Sequence, residues 1–317
     1  MGQVSRKLKK YIFGIVLGIA LMCGTKSYAQ YNREYFFWVG RSCMMNNDYQ
    51  EAIRTLNTLL RFDEDAFEGY FLRGIAKYNL DDLLGAEADF STAIRLNPVY
   101  TQAYTYRAIT RSRLGNYDDA LQDFREAIDL RPDLPGPYYS RGVTRLLNQQ
   151  FKEAIDDFDK FIRQENKVAD AFICRGLSYL HLKDTVRAYD NFNTAIRTNR
   201  ENPSGYNRRG GLYMEQKRFA EAEADFNKAI ECDSAYLLSY FNRALVYSDT
   251  NRPMLALADF DKVIQLDQFA DLLQPCHAAH ADRRLQPCAG RLRQGGALFA
   301  EQRAGLLQPC GGLCPAG

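Results

Sequence analysis

The sequence repeats itself every 34 residues, and this constrains the fold more than any other feature of it. Small residues recur at Gly40, Gly74, Ala108, Gly142, Gly176, Gly210 and Ala244. Twelve residues further on, alanine recurs at Ala52, Ala86, Ala120, Ala154, Ala188, Ala222 and Ala256. Four beyond these stand Leu56, Phe90, Phe124, Phe158, Phe192, Phe226 and Phe260. Four before the first series stand Phe36, Tyr70, Tyr104, Tyr138, Phe172, Tyr206 and Tyr240. No insertion interrupts any column across seven copies, so each copy must be the same structural unit.

One copy, "AYTYRAITRSRLGNYDDALQDFREAIDLRP" at 103–132, shows what that unit is. Tyr104, Ala108 and Arg111 share one helical face, and Gly115 breaks the helix. Ala120, Leu121, Phe124, Ala127 and Ile128 then resume the helical period until Pro132 stops it. Each copy is predicted to be a pair of antiparallel helices, with small residues allowing close approach and aromatic residues filling the space between. A single hairpin cannot bury both of its faces, so the copies must stack.

Counted from residue 33, these columns are a small residue at position 8, Ala at 20, an aromatic at 24 and, in Pro98 and Pro132, Pro at 32. The pattern resembles the tetratricopeptide repeat family. Glu64, Asn166, Arg200, Ser234 and Gln268 depart from it at position 32. Tyr or Phe takes the place of the family's Trp at position 4, which accounts for 20 Tyr beside a single Trp. The resemblance implies an all-α, right-handed superhelical solenoid of about seven repeats. They span 33–66, 67–100, 101–134, 135–168, 169–202, 203–236 and 237–267.

The family resemblance also implies a peptide groove lined by positions 2, 5, 9, 12 and 13 of each first helix. The groove candidates at position 5 are Phe37, Phe71, Tyr139, Asn207 and Phe241. Position 9 adds Ile109, Val143 and Leu177; position 12 adds Tyr78 and Met214; position 13 adds Arg113 and His181 along one edge. Some family members clamp a C-terminal carboxylate with Lys and Asn here. No Lys occupies positions 5 or 9 and Asn207 stands alone, so a chaperone-tail receptor is not expected. The expected function is a non-catalytic scaffold binding an extended or helical segment of another protein. The alternative is a structural subunit or spacer in an envelope complex, periplasmic or at the outer membrane.

Two polar columns accompany the apolar ones. Arg73, Arg107, Arg141, Arg175, Arg209 and Arg243 precede the small residue, and Asp89, Asp123, Asp157, Asn191, Asp225 and Asp259 precede the aromatic. A ligand-binding ladder fits them, as does a structural Arg–Asp contact between adjacent hairpins; the structural reading is the expectation. A net charge of +2 gives no electrostatic footprint for nucleic acid. Before residue 268 the only histidine is His181, and no Gly-rich phosphate loop follows a strand. No enzyme activity, cofactor, metal or small-molecule substrate is expected.

The N-terminus reads as a secretory leader. Arg6, Lys7, Lys9 and Lys10 precede the apolar run 11–24, and Ser27 and Ala29 form a small-residue cleavage site. The run is shorter than the roughly 20 residues of a membrane span. Met22 before Cys23 argues against a lipoprotein, and Arg6 against N-myristoylation. Residues 1–29 are thus expected to be a signal peptide, leaving a mature chain in the periplasm, at the outer membrane or secreted. Cys43, Cys174 and Cys232 have no regular spacing and form no disulfide framework.

Residues 268–317 break with everything before them, containing no Lys, Ile or Tyr. Cys276, His277, His280, Cys288, Cys310 and Cys314 suggest zinc ligands, but at no usual spacing. "LLQPC" occurs at 272–276 and 306–310, one repeat length apart. Coded as CTA CTT CAA CCG TGC and read one base later, it becomes Tyr-Phe-Asn-Arg-Ala, the string at Tyr240–Ala244. "RLQPCAGRLRQGG" (284–296) recodes to a repeat-like second helix in the same register, and 306–317 recodes to the start of another copy. The segment is therefore expected to be an irregular, disordered tail produced by a frameshift near 268–271. The coding DNA tests this: the next frame over 272–317 is expected to spell repeats, and codons that do not would overturn the reading.

Overall fold

The computed structural model describes the backbone of residues 33–273 and the side chains of 33–266. The leader, the Cys and His residues of the tail and the shifted "LLQPC" strings lie outside the described residues. Within them the chain is an all-α solenoid of helix-turn-helix repeats, with no strand. The first helices of the copies are α1 (33–45), α3 (Phe67–Asn79), α5 (Thr101–Arg113), α7 (Pro135–Leu147), α9 (Ala169–His181), α11 (Pro203–Glu215) and α13 (Leu237–Asp249). The second helices are α2 (Tyr49–Phe62), α4 (Leu83–Leu96), α6 (Tyr117–Leu130), α8 (Phe151–Gln164), α10 (Thr185–Thr198), α12 (Phe219–Cys232) and α14 (Pro253–Leu273). Helix α14 continues six residues past 267, over the first part of the segment expected to be irregular.

The turn inside every hairpin is the same. Asn47, Asp81, Gly115, Gln149, Lys183, Lys217 and Asn251 are left-handed, with φ between 56° and 85°. The next residue's N–H donates to the carbonyl five back at 2.8–2.9 Å, as in Asp82 to Lys77 and Arg218 to Tyr213. The left-handed residue's own N–H donates to the carbonyl three back at 2.9–3.2 Å. This pair of hydrogen bonds satisfies two of the last carbonyls of each first helix. Only one of the seven copies uses glycine, the residue that adopts this conformation without a Cβ penalty.

The turns between copies rely on a side chain. Asp63, Asn97, Asn199 and Asp233 are extended, and each carboxylate or amide oxygen accepts from the N–H two residues on at 2.9–3.3 Å. Such Asx turns close the connection with Pro98 after Asn97 and without proline in the other three. They explain how Glu64, Arg200 and Ser234 can replace the family's Pro at the next position.

Position 24 fills the centre of each hairpin. Phe90, Phe124, Phe158, Phe192 and Phe226 are fully buried. A Cβ added to Gly74, Gly142, Gly176 or Gly210 would come within 2.6–2.9 Å of the ring of Phe90, Phe158, Phe192 or Phe226. Ala108 and Ala244 occupy the same place in other copies, so one methyl group is accommodated by a small shift, and larger groups are not.

Stacking is tighter on one side. Helix α3 touches α5, α5 touches α7, and so on to α13, whereas no two second helices approach one another among the described residues. Each first helix also packs on the second helix before it at position 3, where Gly69, Ala103, Pro137, Ala171, Gly205 and Ser239 are buried; a Cβ added to Gly69 would come within 3.0 Å of Leu60, and one on Gly205 within 3.0 Å of Ile196. In α1 position 3 is Tyr35, 53% exposed, and position 6 is Trp38, 68% exposed.

Gly142→Val is expected to lower stability by about 1–3 kcal/mol through overpacking against Phe158. Lys217→Gly removes a left-handed penalty of about 1–2 kcal/mol and loses about 0.5–1 to backbone entropy, so it should raise stability slightly. Urea unfolding followed by circular dichroism checks both signs.

Candidate functional site

The polar columns are the hairpins' internal frame. Arg73, Arg107, Arg141, Arg209 and Arg243 each make a two-pronged bond to the Asp sixteen residues later, with N–O distances of 2.6–2.9 Å. That Asp lies on the second helix of the same hairpin, so the Arg–Asp pair does not itself join neighbours. The link between copies comes from the remaining arm. Nη1 of Arg73, Arg107, Arg209 and Arg243 donates to Asn57, Ser91, Asn193 and Asn227 of the preceding copy at 2.6–3.0 Å. Beneath each guanidinium lies the ring at position 4, as with Arg73 over Tyr70 at 5.3 Å and Arg243 over Tyr240 at 5.5 Å. These groups are saturated by one another and form structural nodes rather than a ligand ladder.

A second cation completes some nodes. Lys77 reaches Asp89 at 2.8 Å, Arg111 reaches Asp123 at 2.9 Å and Glu87 at 2.7 Å, and Arg145 reaches Asp157 at 2.6 Å. From the fifth copy onward this position holds Tyr179, Tyr213 and Tyr247, each capped by an arginine: Arg187 at 5.0 Å, Arg218 at 4.4 Å and Arg252 at 4.5 Å. The Tyr213 hydroxyl lies 3.0 Å from that of Tyr189, and burial pushes the Tyr213 phenol up to about 12.

The twelve groove candidates divide by exposure. Phe71 and Asn207 are buried and unavailable to a ligand. Phe71 packs edge-on against Tyr100 at 5.0 Å, the last residue of its own copy, and Tyr106 of the next copy at 5.5 Å. Asn207 Oδ1 accepts from Ser239 Oγ at 3.2 Å and Asn242 Nδ2 at 3.1 Å, again from the next copy.

The other ten retain exposed surface. Phe37 carries Arg41 at 5.8 Å over its ring, and Tyr78 carries Arg113 at 4.7 Å. Arg113 also donates to Asp81 at 2.7 Å. Ile109 packs beside Ala108, Ala120 and Phe124, while Tyr139 and Val143 pack on Phe158 and Cys174. Leu177 touches the clusters of Phe172 and Phe192, and Met214 that of Phe226. Phe241 meets the Phe260 ring at 5.8 Å. His181 is exposed and stacks on Phe151 at 4.5 Å with the rings 3° from parallel.

Among the described residues no three His, Cys, Asp or Glu side chains are placed to hold a metal ion, and Cys43, Cys174 and Cys232 are free thiols. No described helix is long and apolar enough to cross a membrane.

Family models described as "Tetratricopeptide repeat" match residues 203–236 and 237–269, and one described as "TPR repeat" matches 111–149. Among solved structures, a tetratricopeptide repeat protein from Parabacteroides merdae is similar with a TM-score of 0.64 at 19% identity, covering 74% of this chain and 93% of that one. Cut9–Hcn1, an APC/C hetero-tetramer, gives a TM-score of 0.60 at 16% identity, covering 75% and 48%. The C-terminal part of a TPR repeat-containing protein from Cytophaga hutchinsonii gives 0.55 at 21%, covering 73% and 95%. No curated protein sequence matches the chain. The chain thus carries tetratricopeptide repeats over 111–149 and 203–269, and the structural likenesses show that its described copies share the fold of tetratricopeptide repeat proteins. Proteins of this family are in general non-catalytic scaffolds that bind protein or peptide partners.

The node at Asp157 is the most enclosed, its side chain 1% exposed between Arg141 and Arg145. Asp157→Ala strands a buried cation and is expected to cost about 3–5 kcal/mol. Replacing the pair together, Arg141→Met with Asp157→Leu, is expected to cost less than Asp157→Ala alone, as measured by urea denaturation.

Proposed function

We propose that the protein is an exported, non-catalytic scaffold that binds an extended or helical segment of another protein along its first-helix side. The observation that carries this is the asymmetric stacking: first helices touch from copy to copy and second helices do not. Spacing that is closer on one side makes that side the inner face of the curve, the surface repeat solenoids use for ligands. The half-buried stripe of Tyr78, Ile109, Tyr139, Val143, Leu177, Met214 and Phe241 offers it aromatic and aliphatic contact, with Arg113 and His181 at one edge. An apolar segment is the ligand such a surface favours. The leader at 1–29 supports a site of action outside the cytoplasm.

A role as a subunit of an envelope assembly is favoured by one feature, the exposed Tyr35, Trp38, Met45 and Phe62 of the first copy. Affinity capture from periplasmic extract separates the readings. A partner lost on Val143→Glu or Met214→Glu, at unchanged melting temperature, is the result expected for the groove. A stoichiometric envelope complex lost only on Trp38→Ser replaces it with the subunit reading, and no partner under any condition counts against both.

A further inference from the structure

Arginine in this array is almost everywhere satisfied. Among the described residues, every arginine that is not exposed has an acceptor, with one exception. Arg208, in α11, makes no hydrogen bond or ion pair, and its Nε is buried without a partner. Its neighbour Arg209 is held by Asp225 and Asn193, so the local supply of acceptors goes to the node and leaves Arg208 bare.

The place of Arg208 is defined by the repeat. It occupies position 6, whose side chain elsewhere lies over position 5 of the preceding copy: Tyr106 over Phe71 at 5.5 Å, and Asn242 on Asn207 at 3.1 Å. By the same register the position-5 residue facing Arg208 is Ile173, which is 6% exposed and apolar. Three residues along α11, on the same face, is Gly211. A Cβ placed there meets nothing within 4 Å. The equivalent residues before and after it are Leu177 and Leu245, both half-buried, so the stripe of side chains has a one-residue notch beside the unpaired guanidinium.

We propose that Arg208 and the Gly211 notch form a subsite for a carboxylate side chain, an Asp or Glu of the bound segment flanked by apolar residues. The inference rests on the groove reading above and deepens it. Beside an apolar residue, water competes poorly for the guanidinium, and a charge-assisted bond there is stronger than on an open surface. The notch supplies room for the ligand's chain to approach. Glu215, two turns further along α11, is exposed and leaves the guanidinium uncompensated.

The test uses the full chain and an array of random 12-residue peptides, acetylated at one end and tethered at the other, so that only side-chain carboxylates are present. Binders enriched in Asp or Glu between apolar residues are expected. For the tightest binder, replacing its acid by the amide should weaken binding about tenfold in fluorescence anisotropy, and less than twofold with Arg208→Gln. Gly211→Leu should weaken acid and amide peptides alike. Arg208→Gln is also expected to melt no lower than the parent, because it removes an unpaired cation; a lower melting temperature would mark a structural role and overturn the subsite. An acid-to-amide ratio unchanged by Arg208→Gln, or binders without acidic enrichment that still depend on Met214, overturns the subsite and leaves the groove. Failure of every peptide to bind removes both.

Discussion

From the second copy on, each hairpin is organised around one guanidinium. Its two parallel bonds to an Asp set the spacing of the paired helices, its third arm reaches the previous copy, and an aromatic ring supports it from below. An ion pair of this burial contributes little net stability but strongly penalises alternatives that leave a charge unpaired. The two departures from the pattern obey the same rule. Where Asn191 replaces the Asp, Arg175 takes its carboxylate from Asp159 of the preceding copy. Where the preceding copy offers Arg125, Arg141 forgoes the link and shares Asp157 with Arg145.

Much of this fold was legible in the sequence because it is written in local periods. The first helices begin at residues 67, 101, 135, 169, 203 and 237, as the column spacing places the copies. The apolar columns at positions 8, 20 and 24 mark residues that touch within one hairpin, and their chemistry varies little. The left-handed turns were harder to see. Their backbone is identical seven times over, but the residue is Asn, Asp, Gly, Gln or Lys, and only Gly115 announced itself. The Arg–Asp columns were visible, yet spacing alone could not say whether the pair lay within a hairpin or between two.

The candidate site was less legible, because exposure there depends on the following copy. Phe71 and Asn207 occupy a position that the family exposes, and they are buried by Tyr106 and Asn242, residues some 35 places away. Where position 6 is small, as Ser140 is, its neighbour has no such cover. The columns that vary least hold the array together, whereas the surface is set by columns that change from copy to copy. Position 11 changes as well, from Lys77, Arg111 and Arg145 to Tyr179, Tyr213 and Tyr247, at sites that are half-buried or buried. A uniform scaffold therefore carries graded chemistry beside its nodes, second cations in its early copies and arginine-capped phenols in its later ones.

The chain's single tryptophan, Trp38, lies in α1 of the first described hairpin, 68% exposed. In a stack where each copy contacts only its neighbours, unfolding can spread from an end rather than strike everywhere at once. Indole fluorescence therefore watches one terminus, while far-ultraviolet dichroism averages all the helices. The two signals are separate spectroscopic clocks, and the interval between them measures how strongly one hairpin is coupled to the next.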